Sequence, residues 1–237
     1  MASVSATGLS VERSERLFFV FMAAAIAVTV IFAFGMWFLI GHSTFASPWW
    51  VHVHAISFMS WIAFYLTQNV LVLRNQVALH RRLGRVGAGF AAWMVIVGFL
   101  LTANSLALHR SPPFFTPAFF LALDWMNVVT FAGLVIAGLA NRRRTDWHRR
   151  LMLCATVSVM APALGRILVW QGAMTAWTNA ASLLAYIIVA MIADGLIRGR
   201  IHPAYLWGSG AIVAWALSIE ILTRLPPFVA LADRIAA

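Results

Sequence analysis

The chain has 237 residues, of which 62% are hydrophobic and only 10% are charged. A soluble domain has about 25% charged residues, so this composition excludes a water-soluble fold and predicts a membrane protein. The formal net charge of +10 would indicate nucleic-acid binding in a soluble protein. Here the arginines lie in short loops between apolar segments, where membrane lipid accounts for them. We therefore expect lipid contacts and no nucleic-acid partner.

The residue types present also limit the chemistry. All 17 basic residues are arginine, which excludes a lysine Schiff base and with it a retinal-type pigment. Cys154 is the single cysteine, so the chain has no intrachain disulfide and no thiolate metal cluster. The sequence contains no phosphate-binding loop, dinucleotide fingerprint, serine nucleophile elbow or zinc-protease helix. We expect no dedicated metal site.

Seven apolar segments are long enough to cross a bilayer, which requires about 20 helical residues. In chain order, they cover residues 17–40, 49–73, 84–108, 117–140, 150–173, 177–198 and 203–224. The first is longer than a signal-peptide core, so we predict that it stays uncleaved. No change of composition marks a second domain. The predicted fold class is all-α: a single membrane domain over residues 1–237, built as a bundle of seven transmembrane helices.

The arginines predict how this bundle is oriented. Thirteen fall on the side that carries the amino terminus, three fall on the other side, and Arg166 lies within a span. By the positive-inside rule the amino terminus is cytoplasmic and the carboxyl terminus is outside. Exclusive use of arginine is typical of a GC-rich bacterial genome, so the expected location is a bacterial cytoplasmic (inner) membrane. The alternatives for a protein partner are a second copy of this chain and another protein of a membrane complex.

One short pattern occurs twice. Leu-His-Arg-Arg-Leu at residues 79–83 is similar to Trp-His-Arg-Arg-Leu at residues 147–151, and each follows a polar turn and opens an apolar segment. The separation of His80 and His148 is about the length of one helix pair with its loops. We interpret the pattern as an internal repeat of helix hairpins, around residues 50–108 and 117–173, which presents both histidines at the inner face.

Paired histidines of this kind are common axial ligands of haem iron. His80 and His148 could bind one cofactor together, and His54 with His109 could do the same near the outer face. The neighbouring Arg81 and Arg149 would suit haem propionates, because guanidinium groups bind such anions with two hydrogen bonds. The alternative is an arginine-rich loop that only binds anionic lipid and anchors the helix ends.

Ionisable residues inside the membrane are costly and mark candidate functional positions. Asp124 and Arg166 are predicted at a similar depth, about 10 Å below the outer face at the rise of an α-helix, and could form an ion pair. His54, Asn104 and Glu220 also fall in the outer third of their spans. The alternatives are a site that opens to the outside and a purely structural clamp between helices.

The second span carries a polar stripe. His54, Ser57, Trp61, Tyr65 and Gln68 recur at helical spacing on one face, over about 21 Å of helix. Because a lipid-facing stripe would be costly, we predict that it faces the interior of the bundle. Its role could be hydrogen bonding between helices, or lining a path for protons, electrons or a small substrate.

These motifs carry a resemblance. The turn at residues 79–85, with His54 and Gln68 before it and the segment 146–150 after it, resembles bacterial multi-span membrane proteins of unknown function that contain a His-Arg-x-Leu-Gly turn. The similarity covers roughly residues 50–170 and implies a shared fold without an assigned activity. A more distant similarity, to transmembrane b-type cytochromes, implies haem b. Gln68 stands where those cytochromes have a second histidine in this span.

The functional expectation is therefore a redox or electron-transfer protein that binds haem b or a quinone through its histidines. The alternative is a non-enzymatic membrane protein, such as a transporter, a proton path or an assembly factor for a larger complex. The residues alone do not decide whether the chain is an enzyme.

Overall fold

Helices form every regular element of this computed structural model, which describes the backbone of residues 2–237 and the side chains from residue 11 onward. Over that range the helices are α1 (Ala2–Leu39), α2 (Trp49–Leu73), α3 (Val77–Ala107), α4 (Pro117–Ala140), α5 (Thr145–Ser158), α6 (Ala161–Trp170), α7 (Ala176–Arg198), α8 (Ala204–Leu222) and α9 (Pro226–Ala236).

Seven stretches are long and apolar enough to span a membrane, with α5 and α6 together forming one of them. The chain is therefore a multi-pass membrane protein, and the predicted all-α class and seven spans are confirmed. The helix bundle has two ends, which differ in the loops that they carry. We call the end with the loops 74–76, 141–144 and 199–203 the arginine end, and the end with the loops 40–48, 108–116 and 171–175 the opposite end.

Helix boundaries follow local sequence signals. The N-cap of α4 is Thr116, whose side chain accepts a hydrogen bond from the backbone of Phe119 (3.2 Å), and Pro117 occupies the first turn, where its missing N–H costs nothing. The start of α3 lies seven residues before the predicted position, at Val77. The segment 79–85 is therefore helical instead of a turn, because the turn is made earlier by Asn75 at a φ of 57°.

The fifth span is broken, and the prediction of one continuous helix over residues 150–173 is wrong. The backbone leaves the helix between Ser158 and Ala161, just before Pro162, which cannot donate a backbone hydrogen bond. Two side-chain amides bind the carbonyls at the break: Asn127 donates to Ser158 (2.8 Å) and Asn179 donates to Ala161 (3.1 Å). Neighbouring helices thus satisfy the polar groups that the break leaves inside the membrane.

A ninth helix follows the last span and was not predicted. Its 11 residues, Pro226–Ala236, are too few to cross a bilayer. The helix packs against α3 and α4 at the opposite end, where Ala232 is completely buried. It covers that end of the bundle.

Small residues set the closest approach of α8 to α5. A Cβ atom at Gly208 would lie 2.6 Å from Cβ of Cys154 and closer still to its sulfur atom. Real non-bonded carbon atoms do not approach so closely, so this position requires glycine. Helix packing in membranes commonly depends on such small residues.

We expect Gly208→Ala to destabilise the bundle by about 1–3 kcal/mol, the usual cost of overpacking a core. The measurement is thermal unfolding in detergent. Gly210→Ala, two residues along on an open face with no atom within 4 Å, is the control and should be neutral. Adding Cys154→Gly to Gly208→Ala removes the clash and should restore most of the stability. An absence of rescue would mean that α5 and α8 are not in contact here.

Candidate functional site

The repeated histidines meet at the arginine end. His80 lies in the first turn of α3 and His148 in the first turn of α5, and their ring centroids are 6.4 Å apart with an angle of 74° between the ring planes. The two helices begin on either side of α4, which packs against both. We call His80 and His148 the histidine pair.

A hydrogen bond to α4 defines the orientation of His148. Its Nδ1 lies 2.8 Å from the carbonyl oxygen of Gly138 on α4. A carbonyl only accepts, so Nδ1 carries the proton and Nε2 keeps its lone pair. An imidazole held in this way is ready to bind a metal or to accept a proton through Nε2.

Unsatisfied polar atoms surround the other histidine. Nδ1 of His80 is buried without a protein partner, as are both amide atoms of Gln68. The imidazole of His80 lies against the backbone of Gln68, which places these groups on adjoining helices. Buried polar atoms nearly always have a partner, so this region has unused capacity to bind a polar ligand.

A buried ion network lies directly beside the histidine pair. Arg150 is completely buried; it donates to Glu15 (2.7 Å) on α1, to both carboxylate oxygens of Asp194 on α7, and to the carbonyl of Asp146 (2.9 Å). Glu15 and Asp194 are themselves only 2% and 4% exposed. Three helices are therefore joined through one guanidinium group.

Glu15 binds two further arginines. Its second carboxylate oxygen lies 2.8 Å from Arg149 and 2.6 Å from Arg198. We predicted that Arg149 binds a cofactor together with Arg81. The structure places Arg149 in this network, because Glu15 offers it a buried counter-charge, whereas Arg81 is exposed at the arginine end.

The two acids of this network, Glu15 and Asp194, were not among the site residues predicted from the sequence. Glu15 lies in a charged segment just before the predicted start of the first span at residue 17. Asp194 is an acid inside an apolar span, which is by itself a signal of a buried partner. That signal could have found Asp194, but no local pattern connects it to Arg150, 44 residues away.

We expect Glu15→Gln to lower the free energy of unfolding by about 3–5 kcal/mol, since breaking a buried ion pair leaves uncompensated charge. Glu12→Gln is the matched control, because Glu12 is 53% exposed and pairs only with Arg16; an exposed pair contributes less than about 1 kcal/mol. Thermal unfolding in detergent compares the two variants. Equal losses would show that the network is not the anchor described here.

His202 closes the network in the loop between α7 and α8. Its backbone N–H donates to Asp194 (3.0 Å), its Nδ1 accepts from the backbone of Ala204 (3.1 Å), and its Nε2 faces Asp146 (3.1 Å). An accepting Nδ1 means that the ring is neutral, with the proton on Nε2. Burial, reinforced by the positive charge of Arg150, lowers the pKa of His202 even though Asp146 acts in the opposite direction.

The lowered pKa predicts a loss of stability in acid. Above the ordinary pKa of 6.5, His202 is neutral in both the folded and the unfolded chain; as the pH falls below that value, the unfolded chain binds the proton first and is favoured. His202→Asn keeps an acceptor for the backbone of Ala204 and should flatten this part of the profile of unfolding temperature against pH. His109→Gln, at an exposed position, should leave the profile unchanged. Identical profiles for the wild type and His202→Asn would contradict the assignment.

At the opposite end the predicted ion pair is not formed. No nitrogen of Arg166 lies within 4.0 Å of a carboxylate oxygen of Asp124. Arg166 instead donates to the carbonyl of Pro162 (2.8 Å) and packs its guanidinium over the ring of Phe34, 4.1 Å from the centroid. Asp124 accepts from Thr102 (3.3 Å).

The cluster predicted at this end is smaller than expected. His54 and Asp124 both lie close enough to Arg166 for their charges to interact, and we call these three residues the opposite-end cluster. Asn104 is exposed, and Glu220 pairs with Arg224 (3.0 Å) at the surface.

Two further predicted site residues lie outside this cluster. Gln68 belongs to the arginine end, beside His80. His109 is exposed just after α3, and among the described residues no hydrogen bond, ion pair or ring contact joins it to His54. The structure therefore does not bring this second histidine pair together.

Within the part of the chain that the structure describes, no three His, Cys, Asp or Glu side chains are grouped to hold a metal ion. Comparison with protein-family models, with curated proteins and with solved structures finds no match for this chain. The two polar regions, at the arginine end and at the opposite-end cluster, are therefore the features from which a function can be inferred.

Proposed function

We propose that this chain is a membrane redox protein that binds haem b or a quinone at the histidine pair. The observation that supports this proposal is the 6.4 Å between the two ring centroids. Imidazoles are common ligands of haem iron, and two rings this close together could both bind one iron ion. His80 and His148 would then hold a haem that supplies electron transfer.

The polar atoms around the pair also fit a quinone. Its carbonyl oxygens accept hydrogen bonds, and the amide of Gln68 and the imidazole of His80 have buried atoms without partners. Either cofactor would supply electron transfer within the membrane. Haem is favoured by the spacing of the rings, and a quinone is favoured by the number of unused donors.

The protein's own contribution is to hold the histidines in place. The carbonyl of Gly138 fixes the tautomer and orientation of His148. Arg149 and Arg150, the next two residues of α5, are bound to Glu15, so the first turns of α5 cannot rotate without breaking buried ion pairs. Such support from surrounding residues is what a cofactor site requires.

The location of the protein is part of the proposal. The concentration of arginines at one end, together with the positive-inside rule, supports a bacterial inner membrane with the arginine end in the cytoplasm. The cofactor would then lie in the cytoplasmic half of the bilayer. A reporter domain inserted in the loop 141–144 that proved to be periplasmic would overturn this orientation.

The absorption spectrum of the purified protein tests the cofactor. We expect either an intense haem band, or a colourless protein from which organic solvent extracts about one quinone per chain. His80→Ala and His148→Ala should each abolish binding. His52→Ala is the control, because its ring contacts only the backbone of Phe45 at the opposite end. A colourless, quinone-free protein from cells supplied with haem precursor would contradict the proposal and favour a non-enzymatic transporter or assembly factor.

A further inference from the structure

The polar stripe of α2 faces the interior of the bundle, as predicted. Ser57, Trp61, Tyr65 and Gln68 are all less than 9% exposed, and His54 is half-buried at the start of the stripe. At the rise of an α-helix, residues 54 to 68 cover about 21 Å. This length is about two-thirds of the hydrocarbon thickness of a bilayer, roughly 30 Å.

Most of these side chains lack a hydrogen-bond partner in the protein. The atoms are Nδ1 of His54, Nε1 of Trp61, the hydroxyl of Tyr65 and both amide atoms of Gln68. Eleven buried side-chain atoms of the described residues are unsatisfied in this way, and five of them belong to this one face. Isolated defects of packing would not be expected to follow a single helix face.

Other polar side chains of α2 behave differently. Thr67 donates to the carbonyl of Ala63 (2.8 Å) and Asn69 donates to that of Tyr65 (2.8 Å), so both are satisfied within their own helix. Ser57 donates to the carbonyl of Val53 (2.7 Å) and accepts from Trp93 (2.9 Å). The unsatisfied atoms are therefore specific to the inward-facing positions 54, 61, 65 and 68.

Both ends of the stripe meet ionisable groups. At one end His54 lies beside Arg166, which also interacts with Asp124. At the other end the backbone of Gln68 lies against the ring of His80. Between these ends Trp61 offers a donor, and Tyr65 and Gln68 offer both a donor and an acceptor.

We propose that a file of water molecules occupies the inward face of α2 and conducts protons along it, from His54 at the opposite end to Gln68 at the arginine end. Buried water typically makes about three hydrogen bonds to polar groups that would otherwise be unsatisfied, and water can serve both donors such as Trp61 and acceptors such as the oxygen of Gln68. His54, beside Arg166, ends the file at one end, and Gln68, whose backbone lies against His80, ends it at the other. The water file is inferred from the buried atoms alone, whereas its role in balancing charge at the histidine pair rests on the proposed function.

Radiolytic hydroxyl-radical footprinting tests whether the water is present, because radicals formed from bound water oxidise the side chains next to it. Trp61 and Trp215 form a matched pair: each is 2% exposed, but Nε1 of Trp215 donates to the carbonyl of Leu123 (3.1 Å). We expect Trp61 to be oxidised at least fivefold faster than Trp215. Equal and slow oxidation of both tryptophans would show that the face is dry and would overturn the proposal.

Proton flux into liposomes that contain a pH-sensitive dye tests the conduction. We expect the reconstituted protein to conduct protons under a potassium diffusion potential, and Tyr65→Phe, which removes one unsatisfied hydroxyl, to reduce the flux at least fivefold. Tyr186→Phe is the control, because that hydroxyl already has a partner in Thr29 (2.5 Å). Wild-type flux equal to that of protein-free vesicles, or an unchanged flux in Tyr65→Phe, would overturn the conduction.

The same variants separate this inference from the proposed function. Tyr65→Phe should retain the cofactor spectrum, because its hydroxyl is not assigned to the cofactor. In His148→Ala the cofactor should be lost while fast oxidation of Trp61 persists. Loss of fast Trp61 oxidation in that variant would contradict a water file that is independent of the cofactor. A protein without haem or quinone that still conducts protons would contradict the redox proposal alone.

Discussion

The pairing of Arg150 with Glu15 and Asp194 is the interaction on which the arrangement at the arginine end depends. A charge in a low-dielectric interior is tolerated only when its partners are close and well oriented, so these side chains fix the mutual positions of α1, α5 and α7. His148 lies two residues before Arg150 on α5 and takes its position from that anchor. The candidate site is therefore held in place by an electrostatic constraint as well as by close side-chain packing, which also holds membrane helices together.

The two ends of the bundle treat buried arginine in different ways. At the arginine end, three guanidinium groups share Glu15, and Asp194 supplies a second counter-charge to one of them. At the opposite end, Arg166 packs over the ring of Phe34 and donates to a backbone carbonyl. Asp124 accepts a hydrogen bond from Thr102. In the first arrangement, ion pairs between the charged side chains join the helices. The second leaves Asp124 with a hydroxyl donor and without an ion pair.

Much of the fold was predictable because the signals are local. The bounds of α2 and α4 agree with the apolar segments at residues 49–73 and 117–140, since polar turns and prolines end them. The break in the fifth span was not predictable, because it depends on the amides of Asn127 and Asn179 from other helices. The same distinction applies to the site. A repeated motif predicted that His80 and His148 would lie at the same face, whereas the network around Glu15 joins residues 135 positions apart and leaves no local pattern.

The network also constrains how the chain can be assembled during synthesis. Glu15 enters the membrane with the first helix, Arg150 follows 135 residues later, and Asp194 emerges another 44 residues after that. When the ribosome delivers α5, its arginine finds one carboxylate already in place and another not yet made. The ion pairs of Arg150 are therefore complete only after α7 has been translated.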